Sequence, residues 1–240
     1  MTNNTEQKNG NFLPEGFVYL GDINPEIMIN LIYFNDFNFV GKGINGYENN
    51  VVILTQEAAE ALNAAWEIFQ KDGYNIVIYD AYRPQTAVDN FIAWSGDENY
   101  DNEMKKVFFP YIDHSDAFNF GYVAAKSSHT RGSTVDLTII KKENEFKLLK
   151  DSELIEKTLN DGRKILYIDD GTLDMGSSVD LMDEASNSNS KLISDDAQKN
   201  REYFIKVMND CGFENYPTEW WHFTLRDEPF PETYFNFDVK

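Results

Sequence analysis

Ser127-Ser128-His129-Thr130-Arg131-Gly132-Ser133-Thr134-Val135-Asp136-Leu137-Thr138-Ile139-Ile140 passes from a polar, glycine-bearing loop into a strand, and its reading decides the fold. From Thr134 onward the side chains alternate. Thr134, Asp136 and Thr138 fall on one side and Val135, Leu137 and Ile139 on the other, the period of two expected of a half-buried strand. Asp136 therefore belongs to the polar face of a sheet whose opposite face is apolar. His129 precedes it by seven residues, which along a straight strand would send the two side chains to opposite faces. The turn that Gly132 permits removes that objection, and lets imidazole and carboxylate converge.

Working outward, residues 74–79 read as a second strand that ends in Asp80-Ala81-Tyr82-Arg83-Pro84. Before it, Thr55 caps a predicted helix in which Ala58, Leu62, Ala65 and Phe69 recur at helical spacing, and Gly73 ends it. A second helix is predicted over 85–94, since proline suits the first turn. A third starts at Ser194, runs to Asp210 and stops at Gly212. Pro217-Thr218-Glu219-Trp220-Trp221-His222-Phe223-Thr224-Leu225 reads as an aromatic strand entered from a turn. Residues 11–47 suggest short strands and loops, and 121–124 a short strand. Residues 1–10 are polar and expected to be flexible, leaving 11–240 as one domain. The charged, irregular stretch 141–174 and the run Ser186-Asn187-Ser188-Asn189-Ser190 read as surface elaborations. Together these elements predict an α+β fold, with a central, mostly antiparallel sheet carrying the site and helices packed on it.

Composition narrows the function. At 240 residues and 42% hydrophobic, the chain can bury a sizeable core. Its 41 acidic against 21 basic side chains give a formal charge of -20, which repels phosphate backbones and anionic membranes. Nucleic-acid and membrane partners are thereby disfavoured, and no stretch approaches the roughly 20 apolar residues of a membrane span. The polar start, without a basic and apolar leader, leads to the expectation of a cytoplasmic protein. The single cysteine, Cys211, gives neither an intrachain disulfide nor a Cys-based metal motif. Any metal must use imidazoles and carboxylates.

Only three histidines are present. His114 reads as a structural or surface residue. His129 and Asp136, joined by His222 from a distant strand, would make a three-ligand site that leaves one position open, the catalytic rather than structural arrangement for zinc. Water on such an ion ionises near neutral pH, and with one carboxylate ligand the site keeps the positive charge that a developing oxyanion requires. Glu219, three residues before His222, is the candidate acid–base group. An odd separation within a regular strand would point the two apart, so Glu219 must lie in the turn after Pro217. Arg83, restrained by the following proline, can hold a carbonyl or carboxylate or steady a tetrahedral intermediate. Singly, each of these residues is as well explained by a structural or solvated role. Their joint, ordered occurrence is what carries the functional reading.

Tyr82-Arg83-Pro84, then Ser127-x-His129 with Asp136 seven residues on, then Glu219-Trp220-Trp221-His222, resembles the D-alanyl-D-alanine dipeptidases of the VanX type, within the zinc D,D-peptidases. The closing run Leu225-Arg226-Asp227-Glu228-Pro229-Phe230-Pro231 and Tyr234-Phe235-Asn236-Phe237 is similar to that branch in particular, and the similarity spans residues 33–240. The resemblance implies one Zn(2+) per chain on His129, Asp136 and His222, Glu219 as base, and Arg83 as transition-state stabiliser. It also implies Tyr33, Ser127 and Asp180 as the lining of a small pocket that holds the ammonium end of D-Ala-D-Ala. A role in glycopeptide resistance or in recycling wall fragments follows from the same likeness. Two other readings stay open: a zinc D,D-carboxypeptidase on longer wall peptides, and a zinc-fold binding module without turnover. Two departures stand out, Ala81 where the family often carries glycine and a longer segment between Asp136 and Met175. A segment folded over the cleft would change substrate preference.

Overall fold

The computed structural model describes residues 13–98, 100 and 103–240, so the expectation for residues 1–10 lies outside the described residues. In chain order the elements are β1 Phe17–Tyr19, α1 Leu20–Ile23, β2 Met28–Ile29, β3 Ile53–Thr55, α2 Gln56–Lys71, β4 Tyr74–Asp80, α3 Gln85–Ser95 and α4 Lys105–Phe108. There follow β5 Thr134–Lys141, β6 Glu153–Thr158, β7 Lys164–Asp169, α5 Asp195–Asp210, β8 Phe213–Asn215 and β9 His222–Leu225. The central sheet has the order β2-β4-β5-β9-β8. Only β2 and β4 run parallel; every other pairing in it is antiparallel. The α+β architecture expected from the alternating and helical patterns is the one observed. No helix among the described residues is long and apolar enough to cross a membrane.

Helices α2 and α5 cover one face of the sheet. Thr55 caps α2 by accepting from the Ala58 amide, and Ala58, Leu62, Ala65 and Phe69 form its buried stripe, with Gly73 just beyond at φ 88°. Full burial of a side chain like Phe69 contributes about 1.5–3 kcal/mol. Phe204 of α5 lies 5.9 Å from the Phe69 ring and 5.1 Å from that of Phe223 on β9. Since Phe223 pairs with Val135, the apolar side of β5 meets the helices and Asp136 points to the other side. That other side is also covered, with α3 among its walls, so every residue from Thr134 to Ile140 is buried. The half-buried strand expected from alternation is in fact buried on both faces. In its polar row Thr134 bonds to Thr224 of β9 at 2.8 Å, whereas Thr138 Oγ1 is buried without a hydrogen-bond partner.

The C-terminal tail braces the loop after β4. Phe230, Phe235 and Phe237 surround Phe17, and the Tyr82 ring stacks on Phe237 at 4.1 Å. The Tyr82 hydroxyl donates to the Phe237 carbonyl and accepts from its amide, which fixes the segment leading into Arg83.

Three local expectations need correcting. Residues 121–124 form turns rather than a strand: Gly121 has φ 80°, and the Tyr122 and Val123 amides both turn back to the Ala117 carbonyl. The 186–190 run is not a surface elaboration, since Ser186, Ser188 and Ser190 are buried. Its neighbourhood encloses the buried guanidinium of Arg201, which donates to the carbonyls of Met175, Ala185 and Asn187 and to Ser177 Oγ. A charge taken from water needs such a cage. The 141–174 stretch is not irregular throughout, since it contains the hairpin β6–β7, and none of its residues lines the cleft described below.

Candidate active site

The site grows from one row across three strands. Asp136 on β5 stands opposite His222 on β9 and opposite Asp80 on β4. Ile78 pairs with Leu137, so without a break Asp80 would face the helices; a bulge between Ile78 and Asp80 turns it to the side of Asp136. His129 reaches the same point from a short 3-10 turn, Ser128–Arg131, that ends at Gly132 with φ 86°. A side chain at 132 would meet the Phe17 ring at 2.2 Å, so glycine is required both for the turn and for the close approach.

His129 Nε2 lies 3.2 Å from Asp136 Oδ2, His222 Nδ1 lies 3.2 Å from Asp136 Oδ1, and the two nitrogens are 3.3 Å apart. A tetrahedral zinc with bonds of about 2.0–2.1 Å separates its donors by about 3.3–3.4 Å, so the cluster has the dimensions for that ion. Each remaining imidazole nitrogen is engaged. His129 Nδ1 donates to the Ala81 carbonyl at 2.7 Å, which leaves Nε2 with its lone pair toward the cluster, and His222 Nε2 sits 3.1 Å from Ser128 Oγ. Asp136 Oδ1 is buried and lacks a well-directed hydrogen bond. A buried carboxylate with one orphaned oxygen and an imidazole nitrogen against each of its two oxygens fits a cation. These three are the one such group among the described residues.

The electrostatics agree with that fit. Burial works against charge on Asp136, but the two imidazoles outweigh it and hold the carboxyl far below its ordinary range. Burial likewise discourages a charged His222, yet hydrogen bonds to Asp136 and Glu219 raise it to about 9.

Glu219 lies in the turn before β9, as the odd spacing required, with Oε2 at 3.3 Å from His222 Nδ1. Its amide donates to the Tyr216 carbonyl and its carbonyl accepts from Asn215 Nδ2. Arg83 stands on the other side, with its guanidinium 4.9 Å from the Tyr33 ring and 5.1 Å from that of Phe91. Nη2 is 3.6 Å from Asp136 Oδ2. All of these groups line one cleft of about 590 Å³, together with Ser127, Tyr33, Asp180 and Trp221. Asp180 is buried and accepts from the Tyr33 hydroxyl at 2.8 Å. Burial first, and the Asp136 charge second, push its carboxyl up to about 8. Among the described residues it is the one non-glycine with positive φ, at 59°. Aspartate tolerates that conformation better than most residues do. Ser127 accepts from the His129 amide at 3.3 Å, so it caps the turn as well as facing the cleft.

All eight residues singled out from the sequence thus line the cleft. Sequence reasoning missed Ser128, which anchors His222, and Asp80, which is fully buried. An acid at the end of an apolar strand, three residues before an arginine, was the available signal for Asp80. His114 lies outside the cleft, with its Nε2 2.9 Å from the Asp97 carbonyl near the surface, in keeping with a structural or surface role.

A cleft floored by two imidazoles and a carboxylate, with a second carboxylate at one side and an arginine at the other, is the machinery of a metallopeptidase. Residues 14–149 and 164–240 match the model of a peptidase family described as D-ala-D-ala dipeptidase. The chain belongs to that family. It is 37% identical to a D-alanyl-D-alanine dipeptidase of Enterococcus faecium, over 94% of this chain and 98% of that one. Identity is 36% with the enzyme of that name from Enterococcus faecalis, over 95% and 100% of the two chains. With the one from Streptomyces coelicolor it is 34%, over 93% and 98%. A solved vancomycin-resistance D,D-pentapeptidase in complex with Zn(II) has a TM-score of 0.36 and 13% identity, over 76% of this chain and 77% of that one.

Proposed function

We propose that the protein hydrolyses D-Ala-D-Ala, using one zinc ion held by His129, Asp136 and His222. The observation that carries this reading is the convergence of Nε2, Nδ1 and a carboxylate within 3.2–3.3 Å of one another in a cleft that also contains Glu219 and Arg83. Zinc bound there supplies Lewis acidity toward a carbonyl and makes water more acidic.

The chain's own groups do the rest. Glu219 Oε2 accepts the proton of the attacking water and then delivers it to the departing amine. The Arg83 guanidinium stabilises the charge that develops on the carbonyl oxygen. Asp180, oriented by the Tyr33 hydroxyl, releases its proton to solvent as the substrate's ammonium comes beside it and then pairs with that charge, which selects a dipeptide over a longer chain whose corresponding nitrogen is an amide. Ser127 contributes a polar group to the same pocket, and Trp221 helps exclude water, which strengthens these interactions. A cytoplasmic pool of free dipeptide is the substrate in this reading.

Release of D-alanine from D-Ala-D-Ala, measured beside a tripeptide ending in D-Ala-D-Ala, tests the proposal. Turnover of the dipeptide alone, abolished by chelator and restored by zinc, is expected. Preferential cleavage of the tripeptide would make it a carboxypeptidase, and turnover of neither would remove the enzyme reading.

A further inference from the structure

We propose that Tyr47 and Asp80 form a positioning pair that sets the aim of Arg83. The inference rests on the reading of Arg83 as the group that stabilises the transition state. Asp80 is fully buried, and its Oδ2 accepts from Arg83 Nε at 2.9 Å and forms an ion pair with Nη2 at the same distance. This is not the fork-to-fork pairing in which each carboxylate oxygen takes one N–H and the partners orient each other. With both donors on one oxygen, the carboxylate remains free to rotate about its own bond unless something holds the second oxygen.

Tyr47 holds it. Its hydroxyl donates to Asp80 Oδ1 at 2.6 Å, and Tyr47 is itself buried, with its backbone bridged to Val239 of the tail. The Nε–Nη2 edge of the guanidinium is thereby committed to Asp80. The remaining N–H groups, flanked by the Tyr33 and Phe91 rings, are left for the cleft. Asp80 Oδ2 also lies 3.6 Å from His129 Nδ1, so the pair sits behind both walls of the site. The bulge that turns Asp80 toward this side makes the arrangement available.

The test uses the zinc-loaded full chain and the variants Tyr47→Phe, Asp80→Asn and Arg83→Ala, alone and combined. Tyr47→Phe keeps the ring and its packing, so its effect reports the hydroxyl. It should lower kcat about tenfold with KM within about twofold, and Asp80→Asn should lower kcat about a hundredfold. In the Arg83→Ala background neither change should lower kcat by more than about twofold, since the group they aim is gone. Affinity for a phosphinate analogue of the dipeptide, which mimics the tetrahedral state, should fall in step with kcat while binding of D-alanine stays the same. Wild-type kcat in both single variants, or full losses that persist without Arg83, overturns the inference and leaves the dipeptidase reading in place. If the wild-type chain turns over no dipeptide, that reading fails separately, and the phosphinate affinities of wild type and Tyr47→Phe decide this one: equal values overturn it.

Discussion

Replacing Glu219 by glutamine separates the acid–base chemistry from everything else in the site. The residue is pinned through its main chain, with the amide on the Tyr216 carbonyl at 3.1 Å and the carbonyl on Asn215 Nδ2 at 3.0 Å. Glutamine has the same shape, so the turn before β9 keeps its path. What is lost is a group that takes up a proton. General acid–base catalysis by one side chain is worth about 10²–10⁴ in rate, and under the proposed mechanism the same carboxyl serves in both proton transfers, which places the loss near the upper end. A loss of about 10³–10⁴ corresponds to about 4–5.5 kcal/mol of transition-state stabilisation. Zinc should stay, because the imidazoles keep their anchors on the Ala81 carbonyl and Ser128 Oγ. The assay pairs metal content of the purified variant with kcat on D-Ala-D-Ala. Full zinc occupancy with kcat within tenfold of wild type refutes the assignment of Glu219 as base, and loss of zinc together with activity refutes its separation from the metal site.

Asp180→Asn should raise KM and cut the preference for D-Ala-D-Ala over its N-acetyl derivative by about tenfold or more, because an amide does not distinguish an ammonium from a blocked nitrogen as a carboxylate does; unchanged discrimination would contradict its role. The metal-free protein should lose stability as pH rises. His222, raised in the fold to about 9 from an unfolded value near 6.5, stabilises fully below about pH 6.5, and that contribution disappears as pH passes through about 9. Asp180, raised to about 8, adds a loss of the same sign from about pH 4 to pH 8. Calorimetric Tm of the metal-free chain should therefore fall from pH 6 to pH 9.5, whereas the zinc-loaded chain, with the cation in place of the proton on His222, shows a shallower decline; equal slopes would contradict the account.

Much of this site is legible in the sequence because it is built from local rules. Alternation assigns Asp136 to a face, Gly132 marks the turn that redirects His129, and the odd spacing of Glu219 from His222 demands a turn, which is found. What alternation does not reveal is register, and register decides the rest. That Asp80, Asp136 and His222 share one row depends on a bulge in β4, a pairing irregularity without a signature in the strand itself. Which nitrogen of each histidine faces Asp136 is likewise set by partners distant in sequence, a backbone carbonyl at Ala81 and a hydroxyl at Ser128. The serine-rich run around 188 departs from its sequence pattern for a related reason. Its polarity suggests solvent, but Ser188 bonds to the Tyr216 carbonyl and Arg201 to the Asn187 carbonyl, so polar groups here meet inside the fold.

An anomalous difference map recorded at the zinc edge from crystals of the zinc-loaded protein bears most directly on the metal site. The account predicts one peak per chain, within about 2.0–2.2 Å of His129 Nε2, His222 Nδ1 and a carboxylate oxygen of Asp136. A peak away from these three atoms, or none at full zinc loading, would contradict it.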